Sequence, residues 1–128
     1  MEVKIDTREK FHVITILESH LAANMTEDME SYLIPLLNDP VKNVVVKCKD
    51  IQTMDIAAAE SLARLQQAFY ENNASFVLCE LNKNVEQFLD HEGLLELMNA
   101  TPTESEAWDI VQMEEIEREL LGDDFDES

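Results

Sequence analysis

Glycine is scarce in this sequence: among 128 residues only Gly93 and Gly122 occur. A glycine-rich loop that wraps a phosphate group is therefore excluded. The histidines are His12, His20 and His91, and none stands at metal-ligand spacing from a cysteine or from another histidine. We therefore expect no catalytic constellation, no metal and no cofactor, and the sequence favours a protein that is not an enzyme.

Long apolar runs are absent as well, and cysteine is limited to Cys48 and Cys79. No run approaches the length needed to cross a membrane, and the first residues lack the apolar segment of a signal peptide. Both cysteines fall in or beside predicted strands, where buried thiols are common. We expect reduced thiols in a cytoplasmic protein, and a disulfide only if the two strands are neighbours.

Positive charge is also sparse: 9 Lys and Arg residues oppose 28 Asp and Glu residues, which gives a net charge of −19. This balance argues against binding to nucleic acid or to an anionic membrane surface, because both require clustered basic residues. Residues 101–128 hold 11 acids and one base, Arg118, and so carry −10 of that charge. We interpret them as the solvated face of a helix followed by an acidic tail, with a dedicated docking surface as the alternative.

The most informative stretch runs from residue 43 to residue 70. Val44–Val46 is a run of β-branched residues that suits a buried strand. Met54 and Asp55 then open a helical pattern, in which Asp55 has the place of an N-cap whose carboxylate accepts from amides of the first turn. The apolar face of that helix has residues three or four positions apart: Ala58, Leu62, Leu65 and Phe69. The unit is therefore a strand, a short polar connection at the surface and a capped helix.

This unit resembles the STAS domain of anti-sigma-factor antagonists. In that family the turn has the pattern Asp-Ser-Ser/Thr-Gly, and the first serine is phosphorylated, whereas the same place here is Asp55-Ile56-Ala57-Ala58. The Asp is kept, the phosphorylatable hydroxyl is absent and the Gly is replaced by Ala. The resemblance covers the chain as far as about residue 120, because the order of the predicted elements also matches.

The remaining segments alternate between strand and helix patterns. Strands are predicted at 2–6, 11–17, 44–46, 75–81 and, at an edge of the sheet, 94–100, and helices at 24–38, 55–70, 84–91 and from 102 onward. Pro35 should kink or end the first helix. The other helix starts carry capping pairs: Asn24 with Glu27, Asn84 with Gln87, and Thr101 with Glu104. The last helix should carry its apolar face on Ile110, Met113, Ile116 and Leu120.

The order of elements, β-β-α-β-α-β-α-β-α, defines the fold class as α/β. Helical crossovers place the central strands parallel, whereas the first two strands form a hairpin, so the sheet is mixed and is accompanied by about four helices. This order is the one expected of a STAS domain. We predict a single STAS-like domain at residues 1–121 and an acidic C-terminal tail at residues 122–128.

The resemblance implies a partner-binding surface at the start of the central helix. In the family a kinase that is also the anti-sigma factor modifies the first serine, and the added phosphate breaks the complex. Ile56 cannot accept a phosphate, so binding here would lack that switch. Thr53 and Ser61 bracket the turn and are weaker candidates for phosphorylation. The candidate partner-binding residues come from this turn and from the loop after the second strand: Thr53, Met54, Asp55, Ile56, Ala57, Ala58, Ser19, His20 and Leu21.

Three functions remain open at this stage. The first is a non-enzymatic binding module of a signalling pathway that regulates transcription, docking on a kinase-type anti-sigma factor or a similar regulator. The second is a STAS accessory subunit of a larger assembly, such as a lipid-transport ATPase complex. The third is an enzyme or a small-ligand domain. A homodimer through the first strands or the last helix is also left open.

Overall fold

Five of the seven strands form one mixed sheet, with helices on both of its faces. The computed structural model describes residues 1–126. Its elements, in chain order, are β1 (Val3–Thr7), β2 (Phe11–Ile16), β3 (His20–Leu21), α1 (Ala23–Leu33), a 3-10 helix (Ile34–Asn38), β4 (Asn43–Lys47), β5 (Thr53–Met54), α2 (Ile56–Glu71), β6 (Phe76–Cys79), α3 (Lys83–His91), a second 3-10 helix (Leu95–Leu97), β7 (Asn99–Thr101) and α4 (Glu104–Asp126).

The large sheet has the strand order β1-β2-β4-β6-β7. β1 and β2 are an antiparallel hairpin, and every other pair of neighbours is parallel. The register aligns Val13 with Val45 and Val45 with Val77, so the β-branched runs lie side by side in the centre. The predicted α/β class, with its hairpin and its parallel central strands, is confirmed. A separate two-stranded sheet of β3 and β5 was not predicted.

Side chains alternate between the two faces of the sheet and create two cores. One face packs against α1, α2 and α3, and the predicted stripe of α2 is buried there, with the Phe69 ring centroid 5.4 Å from that of Phe76. The other face packs against α4 through a smaller cluster that includes Val45, Ala107 and Val111. Burial of apolar area, which contributes about 25 cal/mol per Å², is the main interaction that holds these layers together.

The two cysteines are free and buried. Their strands are neighbours, with the Cys48 amide donating to the Cys79 carbonyl over 3.0 Å, which meets the condition set for a disulfide. The side chains nevertheless belong to different cores: Cys48 lies on the α2 side of the sheet and Cys79 on the α4 side. Burial raises the pKa of the Cys79 thiol to about 12, with Glu80 and Glu104 adding to the shift, and burial also raises the pKa of Cys48. Both side chains therefore remain thiols near neutral pH.

Three predicted helix caps are wrong, each by two residues. α1 begins at Ala23, behind Ala22 without a side-chain cap, and Asn24 lies in its first turn. Asn82, rather than Asn84, caps α3, because its carbonyl oxygen accepts from the Val85 amide at 2.9 Å. Because both position 82 and position 84 are Asn, the local sequence does not identify the cap. The Asn82 amide group donates to the Ile51 carbonyl at 2.8 Å, and this tertiary contact distinguishes Asn82 from Asn84.

The start of α4 shows the same ambiguity between two threonines. Thr103, rather than Thr101, is the cap, because its hydroxyl accepts from the Glu106 amide at 3.1 Å. The hydroxyl of Thr101 instead donates to the Thr103 carbonyl over 2.9 Å.

α4 continues through residues 122–126, which the sequence analysis assigned to a tail, and residues 127–128 lie outside the described residues. The domain boundary at residue 121 stays a prediction.

Pro35 ends the first helix as predicted, and Gly93 marks the end of a later one. α1 ends at Leu33, and Pro35 lies in the 3-10 helix that follows. Gly93 has φ +72°, which is the left-handed conformation that ends α3. The segment predicted as a strand at 94–100 divides into a 3-10 helix and the edge strand β7, which begins at Asn99.

The rotation of α4 about its axis differs from the prediction. Met113, Ile116 and Leu120 point outward and are 59%, 56% and 61% exposed, whereas Ala107 and Val111 are buried against the sheet, with Ile110 partly buried beside them. Of the predicted apolar face, Ile110 therefore packs against the sheet as expected, whereas Met113, Ile116 and Leu120 lie on the opposite side of the helix.

Polar contacts at the beginnings of the strands explain this rotation. The Glu114 carboxylate accepts from the Ser75 hydroxyl at 2.6 Å and from the Asn99 amide group at 3.1 Å. Arg118 donates to the Ser75 hydroxyl and to the Asn43 side-chain carbonyl, both over 3.3 Å. Side chains that the sequence pattern places on a solvated acidic face thus bind the sheet, and the apolar residues between them are turned to the outside.

Asn43 is the centre of that network. It is buried, its amide group donates to the Lys10 carbonyl at 3.0 Å and to Glu115 at 2.7 Å, and its carbonyl oxygen accepts from the Ser75 amide at 2.8 Å. A single side chain therefore joins the starts of two strands to the helix above them.

We expect Asn43→Ala to lower the free energy of unfolding by about 2 kcal/mol, because one buried and several partly buried hydrogen bonds are lost together. Urea denaturation followed by circular dichroism measures this change. Asn24→Ala is the matched control, because Asn24 is an exposed residue of α1, and it should change the stability by less than about 0.5 kcal/mol. Equal effects of the two substitutions would contradict the role given to Asn43.

Candidate functional site

The small sheet of β3 and β5 joins two loops that follow the parallel strands β2 and β4. It pairs His20 with Thr53 and Leu21 with Met54. The carbonyl of Ser19 accepts from the Thr53 amide at 3.2 Å, and that of Leu21 accepts from the Asp55 amide at 2.9 Å. Because both loops leave the carboxyl ends of parallel strands, they meet at one edge of the sheet, directly before α2 begins.

A chain of polar side chains crosses this small sheet. His20 Nε2 is 3.1 Å from a carboxylate oxygen of Asp55, and His20 Nδ1 is 2.7 Å from the Thr53 hydroxyl. A carboxylate only accepts, so Nε2 carries a proton, and in the neutral ring Nδ1 then accepts from the Thr53 hydroxyl. The side chains of His20 and Asp55 are 49% and 47% exposed, so this pair orients the loops more than it stabilises the fold.

Asp55 has the N-cap position of α2, but its carboxylate does not cap that helix. Its second oxygen accepts from the amide of Ala23, the first residue of α1, at 3.2 Å. The predicted bond to the first turn of α2 is therefore wrong, because a neighbouring helix start and a histidine compete for the same carboxylate. Asp55 thus fixes the start of α1 relative to the start of α2.

Ile56 and Ala57, the first two residues of α2, are exposed. Ile56 is 50% exposed even though it is a large apolar side chain. The exposed segment is short. Met54, two residues before Ile56, and Ala58, directly after Ala57, are both buried. The site therefore presents a small apolar tip on a rigid helix start.

Several candidate residues cannot contact a partner in this structure. Leu21, Met54 and Ala58 belong to the core and are buried. Ser61, a weaker candidate for phosphorylation, is also buried, and its hydroxyl accepts from Arg64 at 2.8 Å. The helical period explains the burial of Ala58 and Ser61, because positions three or four residues apart on the inner face of α2 pack against the sheet. Leu21 and Met54 lie on β3 and β5, and their side chains point into the core.

The other six candidates are exposed and lie close together. We call them the recognition surface: Ser19, His20, Thr53, Asp55, Ile56 and Ala57. Sequence reasoning missed two neighbours, Gln52 and Asn82, which are joined by a hydrogen bond of 3.2 Å from the Asn82 amide group. The available signal was topological, since residues after β4 and β6 belong at the same edge of a parallel sheet as those after β2.

Within residues 1–121, no group of three or more metal-ligating side chains is placed to hold a metal ion. In the same part of the chain, none of the helices combines the length and the apolar character that a membrane span requires.

Comparison with known proteins agrees with this architecture. The family model of the STAS domain matches residues 2–107, so the chain belongs to the STAS domain family. No curated protein matches the chain significantly.

Solved structures share the fold at low sequence identity. The protein tm1081 of Thermotoga maritima, described as an anti-sigma factor antagonist, has a TM-score of 0.72 and 16% identity over 86% of this chain and 94% of its own. A Ser-to-Glu variant of RsbS from Moorella thermoacetica gives 0.72 and 19% over 88% and 96%. Phosphorylated SpoIIAA of Bacillus gives 0.63 and 14% over 86% and 99%. These likenesses confirm the predicted fold.

We expect Asp55→Ala to lower the free energy of unfolding by about 1 kcal/mol, because the Ala23 amide at the start of α1 loses its side-chain acceptor. Asp55→Asn should retain most of the stability, since an amide oxygen can also accept. Asp50→Ala, which removes an exposed carboxylate of the preceding turn, is the control and should be nearly neutral. Thermal unfolding measures the stability, and a shift of the Ala23 amide resonance reports the lost bond. An unshifted Ala23 resonance in Asp55→Ala would refute this role.

Proposed function

We propose that this STAS domain is a non-enzymatic binding module of the cytoplasm that docks on a kinase-type anti-sigma factor, or a similar regulator, through the recognition surface. The observation that carries the proposal is the exposed side chain of Ile56 at the first position of α2. A large apolar residue on a rigid helix start loses little conformational entropy on binding and gains buried apolar area. Its neighbour Ala57 is small and lets another backbone approach closely.

Polar groups around this tip would fix the orientation of the partner. Hydrogen bonds hold His20, Thr53 and Asp55 in one arrangement before any partner arrives. Such preorganisation favours specificity, because the loops of the surface are already ordered before contact. A catalytic role is not needed for any of these side chains, since each has a structural partner within the domain.

The second part of the proposal is that binding does not respond to phosphorylation at this turn. SpoIIAA, which has this fold, has been solved in unphosphorylated and phosphorylated forms. In the family pattern the phosphorylated serine follows the Asp, and here Ile56 follows Asp55. Thr53 is exposed, but its hydroxyl is engaged with His20 at 2.7 Å. We infer a constitutive binder whose regulation lies elsewhere.

Partner capture tests the docking surface directly. We expect Ile56→Asp or Ala57→Arg to weaken partner binding at least tenfold. Each substitution places a charge on the apolar tip, which the partner would bury in the complex. Ile5→Asp is the matched control, since Ile5 lies on β1 and is 52% exposed, close to the 50% of Ile56. The measurement is affinity purification from the source lysate followed by titration of the identified partner.

Unchanged affinity of both helix-start variants would contradict the proposal. Capture of a transporter ATPase and its permease in place of a regulator would favour the accessory-subunit alternative.

Kinase treatment tests the missing switch. The protein incubated with its cognate serine kinase and ATP should gain no phosphate on the recognition surface, as determined by peptide mass spectrometry. Phosphate on Thr53, with a fall in affinity that Thr53→Val abolishes, would overturn the constitutive-binder part. The docking surface itself would survive that result.

A further inference from the structure

The outer face of α4 carries a second apolar surface, remote from the recognition surface. We call Met113, Ile116 and Leu120 the outer stripe, and all three are exposed. Their spacing of three and four residues is that of a seam between two helices. From Met113 to Leu120 the stripe is about 10 Å long at 1.5 Å per residue.

The outward orientation of this stripe is fixed by the opposite side of the helix. Glu114, Glu115 and Arg118 are bound to side chains at the starts of β4, β6 and β7. Turning the stripe inward would break these hydrogen bonds and bury carboxylates against an apolar sheet. Contiguous exposed apolar residues held in this way are typical of a protein interaction site.

Charge identifies the kind of occupant. Exposed acids border the outer stripe, among them Asp109, Glu117 and Glu119, and the whole chain carries −19. A second copy of this chain would bring the same acids against them, and like charges across an interface cost affinity. An anionic lipid surface is repelled for the same reason. A cationic partner gains from both the apolar stripe and its acidic border.

We propose that α4 is a docking site for a basic amphipathic helix of a partner protein. Such a helix would place aliphatic residues on the outer stripe and Lys or Arg residues beside the flanking carboxylates. Pairing two helices through such a seam needs only one exposed helix on each side. The site is independent of the proposed function, because α4 packs on the opposite face of the sheet from α2.

The probe for this proposal is a fluorescent peptide of Leu and Lys, about five helical turns long, with Leu at the seam positions of a helix. A scrambled peptide of the same composition controls for non-specific attraction by an acidic protein. Anisotropy titration at near-physiological salt should give at least tenfold tighter binding of the amphipathic peptide than of the scrambled one. Equal affinity for both would overturn the proposal.

Matched variants locate the binding site. Met113→Ser/Ile116→Ser/Leu120→Ser should weaken peptide binding at least tenfold, whereas Ile5→Ser/Leu17→Ser/Ile34→Ser, which changes exposed apolar residues elsewhere, should not. Asp109→Asn/Glu117→Gln/Glu119→Gln should weaken it more than Glu86→Gln/Asp90→Asn/Glu92→Gln, although both triples remove three charges. Wild-type affinity of the first triple variant would overturn the proposal.

Two further measurements separate the remaining outcomes. Sedimentation should give a monomer at micromolar concentration, and a dimer that the outer-stripe variant abolishes would assign the stripe to a second copy and overturn the proposal. Ile56→Asp should leave peptide binding unchanged. A loss of peptide binding in that variant would show that the peptide occupies the recognition surface, so this inference would fail without the proposed function failing.

Discussion

The parallel register of β2, β4 and β6 is the constraint on which both surfaces of this domain depend. It aligns the strand ends, so that the loops before α1 and α2 emerge together at the carboxyl edge and are joined by the small β3–β5 sheet. At the other edge it aligns the strand starts, which places Asn43 and Ser75 within reach of α4. A slip of one residue would turn each valine of the central strands to the other face. It would also separate both sets of polar partners, so the packing and the geometry of both surfaces are specified by one feature.

Two carboxylates show how tertiary contacts overrule local rules in this fold. Asp55 occupies a cap position, yet its oxygens bind His20 and the start of α1. Glu114 belongs to a run of acids, yet it accepts hydrogen bonds from two strands. In each case an acceptor that water could satisfy is used instead to hold two elements at a fixed distance. Hydrogen bonds to charged groups are stronger than neutral ones, which makes them suitable for this purpose.

Hydrophobic periodicity was sufficient to predict the sheet, the helices and the buried stripe of α2, because burial of apolar area dominates folding and leaves a regular pattern in the sequence. It was not sufficient to choose between Asn82 and Asn84, or between Thr101 and Thr103, because both members of each pair satisfy the local rule. The rotation of α4 could not be predicted, since its sheet-facing polar residues bind partners that are distant in the sequence. The same limit applies to the candidate site, where the turn was located correctly but exposure of each residue depended on the helical period and the core.

The strongly acidic composition of the chain influences which partner can bind the outer stripe. An exposed row of aliphatic side chains would ordinarily favour self-association, because pairing two copies removes apolar area from water. A net charge of −19 opposes that pairing at long range and is most effective where Asp109, Glu117 and Glu119 border the stripe. The charge therefore discriminates between occupants of equal apolar character, since it repels an acidic copy and attracts a basic partner. The acids of α4 therefore contribute to specificity, because they favour a basic partner over an acidic one at the same apolar contact.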